Sequence, residues 1–316
     1  MRILVTGGSG FIGRQVVNKL LDQGHKVVIM SRNPSTGGDE NPDLAAVRGD
    51  IRFFPDVSKI VFENKIERIV HVAYALTAEG EANPLLAVQV NALGASHIYE
   101  AARLAGIKRV VVSGSIAAYA PPELYGDRPI TEDEDLMKPA SIYGATKVLN
   151  EFMASRFEAR YGTEIPSLRI SAVYGAGRAE RGVTAWASQL VAGAVNSQPV
   201  SIRLRPDQLS NFIYVDDVAE QMVRLTLSDR LSYRVYNSGG STSTPAEFAD
   251  IVKKYFPDLT VQFDPQAPKW PYPYKIDGSR LEEEFSFKPR SPEEGILAQI
   301  NLELARQGRV SLDIIP

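Results

Sequence analysis

Residues 2–13 read RILVTGGSGFIG, a short apolar run followed directly by a glycine-rich turn. The apolar run predicts a buried β-strand, and residues 14–23 carry a helical pattern that ends at Gly24. The glycines between them have the Gly-x-x-Gly-x-x-Gly spacing, which lets backbone N–H groups approach a pyrophosphate at the N-terminus of the helix. We therefore predict a dinucleotide-binding turn. Its expected cofactor contacts are Gly7, Gly10, Phe11, Ile12 and Gly13.

Short runs rich in Val and Ile alternate with helical patterns over the first two thirds of the chain. The predicted strands are Arg2–Val5, Lys26–Met30, Arg68–Val72, Arg109–Ser113 and Ser167–Ser171, with later ones at Asn211–Val215 and Arg234–Asn237. This alternation is typical of an α/β fold with a doubly wound parallel sheet, the Rossmann arrangement. Frequent prolines after about Gly175 predict a smaller C-terminal lobe. We expect residues 1–174 with about 211–240 to bind the dinucleotide, and residues 175–210 and 241–316 to bind the substrate.

The composition excludes several classes of function. The chain has 316 residues, no cysteine, three histidines and a net charge of −3. The lack of cysteine removes disulfides and zinc-thiolate sites, so we expect a cytoplasmic protein without a metal. Near-balanced charge without a long basic run argues against a nucleic acid or a membrane surface as partner. The first apolar run is far shorter than the roughly 20 residues that a spanning helix needs. A small-molecule substrate is the expected partner.

The end of the second predicted strand indicates which dinucleotide binds. NAD-binding units usually place a carboxylate there, which binds the ribose hydroxyls. This chain has Ser31 and Arg32 instead, and a guanidinium pairs well with the 2′-phosphate of NADP. We therefore expect NADP as the preferred cofactor and NAD as the alternative, unless Arg32 is only a solvated loop residue. Asp50 either accepts a hydrogen bond from the adenine amino group or is an ordinary turn aspartate.

A tyrosine and a lysine four residues apart form the expected catalytic pair. Tyr143 and Lys147 lie in a helical pattern that runs to about Tyr161, so they share one helical face. A phenol titrates near 10, and a nearby ammonium would help it to exchange a proton at neutral pH. Such a pair is also common on helix surfaces. Ser115 follows the predicted strand of residues 109–113 and either orients a substrate oxygen or, like Ser113, caps a turn.

Taken together, these residues resemble the extended short-chain dehydrogenase/reductase family, also called the NAD-dependent epimerase/dehydratase family. The motifs are the glycine turn, Gly49-Asp50, His71-Val72-Ala73, Asn91, Ser115 with Tyr119, Tyr143 with Lys147, Leu168-Arg169, Val173-Tyr174-Gly175 and FIYVDDVA at residues 212–219. They extend over nearly the whole chain.

The resemblance implies roles for these residues. Tyr143 would be the acid/base, Lys147 its electrostatic partner and a ligand of the nicotinamide ribose, and Ser115 a ligand of the substrate hydroxyl. His71 would be a packing residue, and Asn91 would belong to the cofactor site as a structural link between a strand and a helix. The resemblance also adds cofactor contacts at Ile51, Ala73, Tyr74, Ser113, Ala172 and Val173. It further implies a homodimer, joined through the helices around Leu85–Ala105 and Tyr143–Tyr161.

The chain departs from the family pattern at three places. Nucleotide-sugar members usually have Asn at the position of Ala172 and Arg-Asp at Ser210-Asn211, so a common ligand for a diphosphate is missing. Dehydratases carry an acidic pair where this chain has Ile116-Ala117, which disfavours dehydration. Other arginines that could replace the missing ligand are Arg178, Arg181, Arg203, Arg205 and Arg280. The aromatic stretch Lys269–Tyr274 either closes over a substrate ring or is a surface packing cluster.

We therefore expect an NAD(P)-dependent oxidoreductase that transfers hydride between nicotinamide and a secondary alcohol or ketone. The expected substrate is small or sugar-like and lacks a nucleotide diphosphate. One alternative is a nucleotide-sugar 4-epimerase that retains its cofactor. Another is a non-catalytic NADP-sensing protein built on the same fold.

Overall fold

A seven-stranded parallel sheet forms the body of the protein. The computed structural model describes residues 1–34, 36, 38, 41–134, 137–178 and 184–314. The strands are β1 (Arg2–Thr6), β2 (Lys26–Ser31), β3 (Leu44–Arg48), β4 (Arg68–His71), β5 (Val110–Ser115), β6 (Ser167–Ile170), β7 (Ala172–Tyr174), β8 (Val200–Ile202), β9 (Ser210–Tyr214), β10 (Val235–Asn237), β11 (Ser241–Ser243) and β12 (Val261–Phe263). The order in the large sheet is β10-β6-β5-β4-β1-β2-β3, which confirms the predicted α/β doubly wound fold.

The helices cover both faces of this sheet. They are α1 (Phe11–Asp22), α2 (Phe54–Glu63), α3 (Thr77–Ala82), α4 (Pro84–Ala87), α5 (Gly94–Leu104), α6 (Ile142–Tyr161), α7 (Ala185–Val195), α8 (Val215–Leu227), α9 (Pro245–Tyr255), α10 (Ser279–Phe285) and α11 (Pro292–Arg306). The segment around Leu85–Ala105 is helical, and a π-helical turn at Val88–Leu93 joins α4 to α5. No helix among the residues described is long and apolar enough to cross a membrane.

Alternate side chains of β1 show how the central strands are buried. Ile3 and Val5 pack with the apolar residues of α1 and α8, whereas Leu4 packs with those of α2 and α5. Successive side chains of a strand point to opposite faces, so a strand between two helical layers must be apolar at every position. The helices therefore bury both faces of the sheet and leave its carboxyl edge open for a site.

Two small sheets lie outside the large one, with strand orders β11-β9-β7 and β12-β8. The predicted strand at Asn211–Val215 corresponds to β9, which pairs with β7 and not with the large sheet. β7 follows β6 after a single residue, Ser171, where the chain leaves the large sheet. The core is nevertheless continuous, since Phe212 and Phe248 belong to the same apolar cluster as β1 and α1.

Candidate active site

The glycine turn lies between β1 and α1, as predicted. Gly7 has a positive φ of 72°, and the backbone N–H of Gly10 donates to its carbonyl oxygen at 2.9 Å. A Cβ atom at Gly13 would lie 2.2 Å from the same oxygen, so only glycine allows this approach. No side chain caps the N-terminus of α1, and its first turn contains no acidic residue. The turn therefore leaves backbone donors available for a phosphate, which fits a dinucleotide.

A cleft lies at the carboxyl edge of the sheet, next to the glycine turn. Its cavity volume is about 210 Å³. Among the predicted site residues, those that line it are Ile12, Tyr74, Ser113, Ser115, Tyr143, Ala172 and Val173. Residues from β5, α6 and β7 thus converge on one volume, although they are far apart in the sequence.

Tyr143 reaches this cleft because the start of α6 packs tightly on the turn after β5. The Ser141 side chain caps the helix by accepting from the Gly144 backbone N–H at 3.1 Å. A Cβ atom at Gly144 would lie 2.1 Å from the Ala117 carbonyl oxygen, so a larger residue would push the helix away. Burial raises the pKa of Tyr143 to about 12, while a hydrogen bond with Ser115 and the Arg178 guanidinium oppose the rise. The phenol is therefore protonated at neutral pH.

Lys147 lies one turn further along α6 and is buried. Its Nζ donates to the Ser113 carbonyl oxygen at 2.5 Å. The same atom lies 2.9 Å from the ring centroid of Tyr74 and 5.2 Å from that of Tyr143. Burial lowers the pKa of Lys147 well below its usual value, and the Glu151 carboxylate partly offsets this. The lysine is thus held against the cleft wall by β5 and by an aromatic face.

The side chains of Asn91 and His71 make hydrogen-bond contacts to other residues of the protein. The Asn91 amide accepts from the Ala75 backbone N–H at 2.8 Å and donates to the Ala75 carbonyl and to the Thr146 hydroxyl. It therefore links the chain after β4 to α6, as the resemblance implies. The His71 Nδ1 lies 2.6 Å from the Thr6 hydroxyl, and burial lowers the pKa of His71 to about 3. A neutral, packed histidine at this place agrees with the expected packing role.

The predicted residues around the adenosine end lie at the ends of two strands, β2 and β3. Ser31 ends β2, and Arg32 after it is exposed. Asp50 follows β3, and its carboxylate accepts hydrogen bonds from the Arg52 guanidinium, which lowers the pKa of Asp50. Part of its capacity to accept hydrogen bonds is therefore already used within its own turn.

Ile51 and Ala73 contribute by packing. Ile51 is buried beneath α5, where its side chain would lie 2.9 Å from a Cβ atom at Gly94. The backbone of Ala73 approaches Gly7, since a Cβ atom at Gly7 would be 3.0 Å from the Ala73 Cα. These contacts bring the end of β4 against the glycine turn.

A model of the NAD-dependent epimerase/dehydratase family matches residues 3–239. The chain belongs to this family. The mitochondrial L-threonine 3-dehydrogenase of Bos taurus is 31% identical over 299 residues, which cover 91% of this chain and 78% of that protein. The protein is thus an NAD-dependent dehydrogenase or epimerase of the extended short-chain dehydrogenase/reductase type.

Two solved structures extend the likeness. The UDP-glucose 4-epimerase of Thermus thermophilus, solved with NAD, has a TM-score of 0.80 and 25% identity over 98% of this chain and 100% of that chain. The L-threonine dehydrogenase of Clostridium difficile has a TM-score of 0.87 at 24% identity, over 98% of this chain and 99% of that one. This second likeness shows the shared fold.

Within this epimerase/dehydratase framework, residues from Arg178 onward form the second wall of the cleft. Its polar side chains are Arg178, Thr184, Ser210, Asn211, Trp270 and Tyr272. The predicted aromatic stretch lies at the cleft: the rings of Trp270 and Tyr272 meet edge to face at 5.7 Å. The Tyr272 hydroxyl also lies 3.4 Å from the Thr77 hydroxyl on the opposite wall.

The arginines named as substitutes for a diphosphate ligand lie at different places. Arg178 lines the cleft, Arg205 pairs with Asp207 at the surface, and Arg280 pairs with Asp133 and Glu132. Arg203 is exposed, and Arg181 lies outside the described residues. Sequence reasoning gave no ground for choosing Arg178 among them, because no spacing rule relates the loop after β7 to α6.

Proposed function

We propose that the protein is an NAD(P)-dependent dehydrogenase or reductase acting on a secondary alcohol or ketone. The observation that carries this proposal is that Ser115 and Tyr143 line one cleft beside the glycine turn, while Lys147 is buried behind its wall against Ser113 and Tyr74. A hydroxyl, a phenol and a buried ammonium at the ligand edge of a doubly wound sheet are suited to move a proton at an alcohol oxygen. These three are our candidate catalytic residues.

The glycine turn, the start of α1 and Lys147 would hold the dinucleotide, whose nicotinamide supplies the hydride acceptor or donor when it is bound. Ser115 would bind and orient the substrate oxygen. Tyr143, protonated because its pKa is raised to about 12, would donate its proton to a ketone oxygen or, as phenolate, accept one from an alcohol. Lys147 is fixed by the Ser113 carbonyl and by Tyr74, so its position does not depend on the substrate.

The preferred dinucleotide is NADP in this proposal, with NAD as the alternative. Arg32 is exposed at the end of β2, where it would meet a 2′-phosphate. Asp50 is the neighbouring acid, and Arg52 offsets its charge. Against this preference, the family takes its name from NAD, and the Thermus thermophilus epimerase was solved with NAD.

The small residues at two cleft positions support a dehydrogenase or reductase over a nucleotide-sugar epimerase. Ala172 and Ser210 line the cleft where nucleotide-sugar members usually carry Asn and Arg. A diphosphate needs its charge balanced when it is buried, and neither residue does this. The nucleotide-sugar 4-epimerase remains the second candidate, favoured by the likeness to the Thermus thermophilus enzyme. Because the chain belongs to a family of enzymes, the alternative of a non-catalytic NADP-sensing protein is no longer supported.

A homodimer is part of the proposal, and an apolar patch on α4 to α6 supports it. Leu85 and Phe152 are 67% and 64% exposed, and Val88 and Leu149 are also exposed. Large apolar side chains that cluster on adjacent helices usually mark an interface.

We also retain the division into a dinucleotide-binding part (1–174 with about 211–240) and a substrate-binding part (175–210 and 241–316), since the cleft has one wall from each.

The experiment is the substitution Tyr143→Phe. It removes the transferable proton and leaves the glycine turn and Lys147 intact, so kcat should fall by about 10²- to 10⁴-fold while the dinucleotide Kd is unchanged. The matched control is Tyr161→Phe, the same change at an exposed position of the same helix, which should alter neither quantity. Wild-type turnover by the Tyr143→Phe variant would show that Tyr143 is not the acid/base.

A further inference from the structure

Several residues that line the cleft carry a buried polar atom without a hydrogen-bond partner. Among the described residues, these atoms are the Tyr74 hydroxyl, Nε of Arg178, Nε1 of Trp270 and Oδ1 of Asn211. Trp270 is 9% exposed and Asn211 is 2% exposed, and both line the cleft. Buried donors and acceptors in native proteins are nearly always paired, since an unpaired one loses its hydration without compensation. The wall of the cleft therefore contains unpaired donors and acceptors, which a bound molecule would satisfy when those side chains turn toward it.

Arg178 is the charged member of this set and is held in place. Its Nη1 donates to the Val173 carbonyl at 2.7 Å, and its Cζ lies 5.3 Å from the ring centroid of Phe11. Burial lowers the pKa of Arg178 to about 10, so the guanidinium is still charged at neutral pH. Arg178 and Tyr143 line the same cleft. A fixed cation in a partly dehydrated cleft favours an anion as its ligand.

The described lining residues of the cleft include no negatively charged side chain that would bind a cation, since none of them is an Asp or a Glu. An α-ammonium group, such as that of L-threonine, would enter this volume without a carboxylate partner and next to a guanidinium. Burying an unpaired charge is costly, and like charges repel. The described part of the cleft therefore disfavours a zwitterionic amino acid.

We propose that Arg178 forms a subsite for an anionic group of the substrate, and that the substrate is a hydroxylated carboxylic acid. This inference rests on the proposed function and specifies its substrate class. The carboxylate would accept from Arg178, another oxygen would accept from Trp270, and a hydroxyl would donate to Asn211. Because Arg178 and Tyr143 line the same cleft, one bound molecule would place its carboxylate at Arg178 and its reacting hydroxyl at Tyr143.

The test compares molecules that differ by one charged group. 3-Hydroxybutyrate carries the carboxylate and hydroxyl of L-threonine without its ammonium, and its methyl ester also lacks the negative charge. D-Gluconate and sorbitol form a second acid and neutral pair. Binding of each is measured by calorimetry on the protein saturated with NAD or NADP, and turnover is followed by cofactor absorbance. We expect at least one acid to bind about 10- to 150-fold more tightly than its neutral counterpart, the range of a charge-assisted hydrogen bond.

Variants assign the effect to Arg178. Arg178→Gln should remove the preference for the acid and raise its KM by a similar factor, with the dinucleotide Kd unchanged. Arg178→Lys keeps the charge and should retain part of the preference. The matched control is Arg205→Gln, because Arg205 is paired with Asp207 away from the cleft. An effect of Arg178→Gln on the dinucleotide Kd alone would assign Arg178 to a cofactor phosphate and overturn the proposal.

The remaining outcomes separate this inference from the proposed function. Acid binding that depends on Arg178, without turnover, supports the subsite and contradicts the dehydrogenase. Turnover of a neutral alcohol with no preference for its acid supports the dehydrogenase and overturns the subsite. A preference for L-threonine over 3-hydroxybutyrate, or the binding of no acid with either dinucleotide, also overturns the subsite.

Discussion

Glu151 lies one turn after Lys147 on α6 and forms a buried ion pair with Arg169. Its Oε2 accepts from Nη2 of Arg169 on β6 at 2.6 Å, and its Oε1 accepts from Nε at 3.1 Å. The Ser167 hydroxyl also donates to Oε1 at 2.9 Å. The side chains of Arg169 and Glu151 are 6% and 11% exposed. The substitution Glu151→Gln keeps the size of the side chain and leaves the Arg169 charge buried without its counterion.

The expected cost follows from this burial. Removing one partner of a buried ion pair typically costs about 3–5 kcal/mol, because the other charge stays dehydrated and uncompensated. At about 2–4 °C per kcal/mol for a large domain, the melting temperature should fall by about 6–20 °C. The matched control is Glu158→Gln on the same helix, whose partner Arg234 is 34% exposed. A pair as exposed as this one contributes about 0–1 kcal/mol, so the control should melt close to the wild type.

The assay is unfolding by denaturant and by heat without ligand. A double variant, Glu151→Gln with Arg169→Met, removes both charges and should recover most of the lost stability. The Glu151 carboxylate also raises the pKa of Lys147, so its removal should lower that pKa further. Equal losses in Glu151→Gln and Glu158→Gln, or no recovery in the double variant, would refute the argument that burial decides the cost.

Three further predictions concern the site and its assembly. The raised pKa of Tyr143, about 12, means that the phenolate fraction rises tenfold per pH unit from pH 7 to 10, so log kcat/KM for alcohol oxidation should rise with a slope of about 1. Ketone reduction uses the protonated phenol and should stay level over the same range; a flat oxidation profile in steady-state assays would contradict this. The wild type should bind NADP more tightly than NAD, and Arg32→Asp should reverse the order by about 10-fold or more, as measured by calorimetric titration. NAD binding equal to NADP in the wild type counts against the role of Arg32. Phe152→Glu places a charge in the exposed apolar patch and should convert a dimer into a monomer in sedimentation velocity, and a wild-type monomer would rule the dimer out.

Much of the dinucleotide site could be predicted from local sequence. The glycine turn follows from the steric freedom of glycine, which acts over a few residues, and the structure has Gly7 at positive φ as expected. The alternation of apolar runs with helical patterns predicted the parallel sheet, because a strand buried on both faces must be apolar throughout. The four-residue spacing of Tyr143 and Lys147 predicted that they share a helix face, since that is a property of helix geometry.

Contacts between distant segments were decided only by the tertiary structure. The sequence did not show that β9 pairs with β7, because a strand pattern does not name its partner. It did not show the π-helical turn that contains Asn91, whose side chain is bound to Ala75 and Thr146 on other segments.

The position of Arg178 in the cleft, unlike that of the other arginines, also depends on contacts between distant segments of the chain. Local rules describe residues within about one helical turn or one tight turn of each other. Arg178 meets Phe11 and lines the same cleft as Tyr143, because the loop after β7 folds onto the start of α1. The charge that surrounds the reacting group therefore depends on how distant loops pack together, whereas the cofactor turn depends on the residues of one short segment.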